Sequence, residues 1–351
     1  DAQVGFIPPP AHENDAMREC LQGTPSAATM AALACVESSI LGPDVDDPEG
    51  LVEDALRRVA TLGFPFNRKT ASGALLAPSP ALWETVKAFA ASVTPLSCGS
   101  AQPDAALLLS AVALGAVATP MDRTALILRG VTRDPITLCA CVALSDLVRK
   151  AAAGETSAEA VVADTRSAEE RALGLLKMLP GTLAGPPEMG HGALAMSLAR
   201  ARSSFSGDDA LLPLTRDTSG APEVVLASVL GCVMVEPAQV LRHVAVMLRA
   251  GGAAHAATGT LLGLVGALNG MKGIPLGWLQ VLREDDGLLE FAEAACGRKR
   301  AGRLAFPAAD LAWRWQRTET AFRAQRELER RAQPAPRRTE QMSLFGNPLD
   351  K

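Results

Sequence analysis

Long stretches rich in alanine, leucine and valine, with apolar residues three and four apart, run through this sequence from end to end. Short alternating runs of Val, Ile, Thr and aromatics between turn residues, the mark of strands, are nearly missing. Tyrosine is absent and aromatics make up 4% of the chain, which further weakens any case for a sheet. The pattern predicts an all-α protein of many medium-length helices with short connections. Start signals support it: a capping side chain precedes Ala27 to Ile40 (Ser26), Pro48 to Leu62 (Asp47), Pro80 to Ser92 (Ser79), Pro135 to Ala153 (Asp134) and Ala158 to Leu179 (Ser157). Further helices are expected over Gly190 to Ser203, Pro222 to Val235, Pro237 to Arg249, Ala256 to Gly270 and Leu276 to Glu284.

In GTLLGLVGALNG the glycines Gly259, Gly263, Gly266 and Gly270 fall on one helix face, so a second backbone is expected to pack closely there. No solenoid-period repeat is visible, and one compact helical domain is expected over 1–331. Its last helix, roughly Ala308 to Arg331, sets Leu311, Trp315 and Phe322 on one side and six arginines elsewhere. That basic face is expected to be solvated, and could make weak contact with DNA. Residues 332–351 have the prolines and polarity of a flexible tail.

With 48% apolar residues the chain can bury a core, and a formal net charge of -4 names neither a polyanionic nor a polycationic partner. The distribution says more. Arg298 to Lys351 holds 13 Lys or Arg against 6 Asp or Glu, a surplus of 7 that leaves about -11 for the rest: a basic appendage on an acidic body. Seven scattered cysteines without a C-x-x-C pair argue against a disulfide framework and a zinc site, and suit small core residues of a cytoplasmic protein. The most apolar stretch, residues 105–118, is too short to cross a membrane, and no signal peptide is visible, although the start lacks a methionine.

A reaction centre is hard to find. His12, His191, His243 and His255 are isolated, and there is neither a nucleophile elbow nor a phosphate loop. Three segments nonetheless carry a resemblance. They are SAATMAALACVESSILGPDVDDPEGLVEDALRRV from Ser26, RGVTRDPITLCACVALSDLVRKAAAGE from Arg129, and GGAAHAATGTLLGLVGALNGMKGIPLGWLQVL from Gly251, which ends on Ile274, Pro275 and Trp278. In this order, over about residues 23–285, the chain resembles the ADP-ribosylglycohydrolases. That family is all-α and uses two magnesium ions to cleave ADP-ribose linkages. Its usual opening glycine-rich helix is expected to be absent, degenerate or trimmed, since only 22 residues precede the resemblance.

The departures carry the functional reading. Where the resemblance implies paired aspartates, this chain has Ala27 and Ala28; where it implies Asp-x-Asp, it has Ala253, Ala254 and His255. Arg133 stands at the family's histidine, and GSAQPDA from Gly99 to Ala105 replaces its ribose loop. Magnesium needs several oxygen ligands, and alanine has none to give. Loss of even one well-placed electrostatic group typically costs about a hundredfold in rate. No catalytic residue, metal or cofactor is therefore expected; the rival is a hydrolase with substitute ligands from Glu37, Asp104 or Asp134, or a nucleotide- or protein-binding module using the old cleft.

The tail offers one more resemblance. Gln341, Met342, Ser343, Leu344 and Phe345 are similar to the Gln-x-x-Leu-Phe peptide by which bacterial replication and repair proteins dock on the DNA sliding clamp. Glutamine suits a polar rim, adjacent Leu and Phe suit a greasy groove, and methionine adapts to its surroundings. The expected partner is the sliding clamp, held through this peptide.

Overall fold

The structure, a computed structural model, describes residues 26–62, 79–91, 93–204, 221–235, 240–250, 253–273, 291–297 and 308. The expected helix Leu276 to Glu284, the last helix beyond Ala308, and the tail with Gln341 to Phe345 lie outside the described residues.

Helices are capped where the sequence places caps. Helix α1 (Ala27–Leu41) starts behind Ser26, whose hydroxyl accepts from the Thr29 amide at 3.2 Å. Asp47 and Ser79 do the same for α2 (Pro48–Thr61) and α3 (Pro80–Ala90), each followed by a proline whose missing N–H costs nothing there. A single turn, α4 (Pro95–Cys98), leads to α5 (Leu107–Ala116) and α6 (Met121–Val131). Asp134 and Ser157 cap α7 (Pro135–Ala152) and α8 (Ala158–Leu176). Then come α9 (Ala193–Ser204), α10 (Pro222–Val235), α11 (Val240–Ala250) and α12 (Ala254–Asn269), with 3₁₀ turns at Pro187–Gly190 and Gly270–Gly273. Among the described residues there is no strand, only one isolated bridge between Ser100 and Thr132. The fold is all-α.

Helix α7 is the axis of the packing: 14 of its 18 residues are buried, as suits a helix surrounded by others. Helices α5, α6, α8, α10 and α12 all pack against it, and α1 lies on α5. The apolar run at 105–118 is thus a core helix, and among the described residues no helix is long and apolar enough to cross a membrane.

The glycine face behaves differently from the expectation. A Cβ on Gly259 or Gly263 would strike the side chains of Leu109 and Val112 on α5, at 2.5 and 2.2 Å, while Gly270 ends α12 at φ 64 with open space around it. Side-chain knobs fill those notches. The close backbone approach is at Gly115 of α5, where a Cβ would lie 2.4 Å from the Ser145 carbonyl of α7.

Candidate functional site

The N-terminus of α1 brings Ala28 and Ala31 to one wall of a small cavity. Ser79 and Leu82 at the start of α3 form a second wall, and Asp104, Ala106, Leu107 and Ser110, leading into α5, complete the lining. Its volume is about 10 Å³, room for a single water. Ala27 itself is buried against the core.

Asp104 is the charged group here. It comes from the Gly99–Ala105 loop, which is sewn to the α6–α7 junction: Ser100 N–H donates to the Val131 carbonyl at 3.2 Å and Arg133 N–H to the Ser100 carbonyl at 2.7 Å. The Asp104 side chain is buried and both of its oxygens accept, from the Ser79 hydroxyl at 2.5 Å and from the Ala106 amide at 2.9 Å. Burial pushes its pKa above the ordinary aspartate value; those two donors oppose the rise without cancelling it.

The other two substitute ligands are committed elsewhere. Asp134 caps α7, accepting from the Thr137 amide at 2.8 Å and the Thr137 hydroxyl at 2.6 Å. Glu37 lies in the C-terminal half of α1, where it pairs with Arg58 at 3.3 Å and accepts a short hydrogen bond from the Ala308 amide. Burial raises its pKa, against the pull of the Ala308 amide and Arg58. Arg133 is half-buried, and its Nε donates to the Gly99 carbonyl at 2.8 Å. It faces Cys98 and Arg129, at the far end of the loop from Asp104. Ala253 is the uncapped N-cap position of α12, and residues 254 and 255 form its first turn.

Two groups escaped the sequence reading. Glu223, in the first turn of α10, has a buried Oε2 without a hydrogen-bond partner, and its pKa is raised first by burial and further by the Asp134 charge. An acid after Pro222 reads as an ordinary helix-dipole partner, so nothing in sequence flags it. Arg129 is completely buried, which its place in the local sequence does not signal.

Comparison with known families gives a match to the ADP-ribosylglycohydrolase model over residues 3–305. The chain belongs to the ADP-ribosylglycohydrolase family. The match begins well before residue 23 and ends beyond 285, so it takes in the stretch whose glycine-rich helix is expected to be absent, degenerate or trimmed. A comparison with curated proteins returns no match.

Membership implies two magnesium ions. Hard dications need clustered oxygen ligands. The positions that the resemblance sets against the family's metal-binding aspartates hold Ala27, Ala28, Ala253, Ala254 and His255, and of the three substitutes only Asp104 borders the cavity beside Ala28. Among the described residues, no three His, Cys, Asp or Glu side chains stand together as a metal-binding group. These residues do not fit a binuclear magnesium centre.

Proposed function

We propose that this ADP-ribosylglycohydrolase family member is non-catalytic and is tethered to the bacterial DNA sliding clamp by Gln341 to Phe345, acting in DNA replication, repair or their regulation. The observation that carries the first half is the cavity beside Ala28. It has room for about one water, a single carboxylate, and alanine where the family's metal-binding aspartates belong. A scaffold kept while its charged ligands are gone is a scaffold used for placement.

The second half rests on the terminal peptide, whose Leu344 and Phe345 would each contribute about 1.5 to 3 kcal/mol on burial in a clamp groove. Ordering the tail offsets part of that, so micromolar affinity is expected. The basic stretch before it would then lie near DNA.

A pull-down with purified clamp tests the tether. Wild type should be retained and the Gln341→Ala, Leu344→Ala, Phe345→Ala variant should pass through; equal retention of the two rejects it. The rival hydrolase, favoured only by the position of Asp104, requires magnesium-dependent release of ADP-ribose from a modified substrate. Calorimetry with ADP-ribose separates a ligand-binding cleft from both, since a cavity this small should bind it weakly.

A further inference from the structure

On the far side of the Gly99–Ala105 loop from the Ala28 cavity lies a guanidinium whose bonding is incomplete. Arg129 is 0% exposed. Its Nη2 donates to the carbonyls of Leu96 at 2.7 Å and Thr182 at 2.9 Å, while Nε and Nη1 are buried and have no hydrogen-bond partner. A guanidinium has five N–H donors, so three are left over, and buried polar groups in folded proteins are rarely left so. The charge is also uncompensated. The neighbour felt by Arg129 is another cation, Arg133, and among the described residues neither arginine has a carboxylate partner. Burial, then the Arg133 charge, draws the Arg129 pKa down to about 10, which still leaves it protonated at neutral pH.

We propose that Arg129 and Arg133 form a binding site for a phosphate-type oxyanion, entered through the exposed Gly181–Thr182 turn. Water could satisfy spare N–H groups, but only an anion offsets two neighbouring positive charges. Planar guanidinium forks match tetrahedral phosphate oxygens, and two of them suit a dianion. The cover fits an entrance. Gly181 sits at φ 81, and its α-carbon lies so close that an added Cβ would be 3.1 Å from Nη2 of Arg129; both Gly181 and Thr182 are exposed. An anion entering there would take over donors now aimed at the Thr182 carbonyl, alongside the half-buried Arg133.

The test uses the full chain in phosphate-free buffer at fixed ionic strength. Inorganic phosphate and ADP are titrated separately against matched chloride, followed by thermal unfolding and calorimetry. A saturable rise in unfolding temperature with phosphate, ADP or both is expected, and Arg133→Met should weaken it about tenfold or more. Arg166→Gln, at an exposed arginine paired with Glu170, should leave it unchanged. Response to phosphate alone assigns the site to the free ion; tighter binding of ADP assigns it to a phosphorylated small molecule. Arg129→Met should abolish binding, and if that variant folds poorly, the Arg133→Met comparison decides. Stabilisation by neither titrant, or an equal response in Arg133→Met, overturns the proposal.

Discussion

The two ends of the Gly99–Ala105 loop hold two buried charges without an opposite charge beside them, and they have been treated differently. At one end Asp104 has a donor for each oxygen, Ser79 and the Ala106 amide, in a cavity with space for one water. At the other, Arg129 has three N–H groups with nothing to meet. The Asp104 end has its bonding capacity filled; the Arg129 end keeps unspent bonding capacity. A ligand is expected where hydrogen bonding is incomplete, which is the Arg129 end.

The sharpest break of this comparison is at Asp104. Asp104→Ala should cost about 3 kcal/mol, because the Ser79 hydroxyl and the Ala106 amide lose their acceptors in a buried setting, read as a shift in the urea midpoint. Asp104→Asn keeps an acceptor and should stay within about 1 kcal/mol of wild type at neutral pH. The sign of its pH dependence follows from the raised pKa. The native state holds the Asp104 proton more tightly than the unfolded chain, so its contribution is complete below the ordinary aspartate value and is lost as pH rises through the elevated one. Asp104→Asn should therefore gain on wild type steadily across that window. Asp146 works oppositely: hydrogen bonds and charges from Arg149 and Arg171 outweigh its burial and lower its pKa, so its stabilisation fades as pH falls. A loss of stability of Asp104→Asn relative to wild type as pH rises would refute the assignment of a buried, unpaired Asp104 charge.

Arg129→Met gives the next largest effect. Replacing a buried, unpaired cation by an apolar chain of similar reach removes a desolvation cost while releasing two carbonyls, those of the partly exposed Leu96 and the exposed Thr182, to water. A net change within about 1 kcal/mol is expected, in contrast to Asp104→Ala. A loss as large as that of Asp104→Ala would mean that Arg129 is as fully used in the fold as Asp104 is, and the asymmetry between the two ends would vanish.

That asymmetry could not be read from sequence, whereas much of the frame could. Ser26, Asp47, Ser79, Asp134 and Ser157 were legible as helix starts because capping is decided within three residues, and each hydroxyl or carboxylate does accept the expected amide. Helices α5 and α6 went unnamed because Ala106 and Pro120 offer no capping side chain and α5 is apolar on every side. That Ala27, Ala28 and Ala253 stand where metal ligands belong is an expectation from the resemblance alone. The commitment of Glu37 to Ala308, the open Oε2 of Glu223 and the isolation of Arg129 arise from residues far apart in the chain, and no local pattern encodes them.

The smallest expected effect concerns the cover over Arg129. Lys177 and Glu188 pair at 3.2 Å across the base of the turn that carries Gly181 and Thr182, and both are largely exposed. Such pairs contribute little in water, so Lys177→Ala should leave the unfolding temperature unmoved. The turn is otherwise held by the Ala184 amide on the Arg133 carbonyl at 2.9 Å and by the Thr182 carbonyl on Arg129. If the ion pair helps to keep the cover shut, hydrogen exchange at the Ala184 amide should quicken in Lys177→Ala without any loss of global stability. Unchanged exchange would show that the two arginines alone hold the turn. The groups that close the entrance would then be the same groups that the anion must win over, and binding and opening would be a single event.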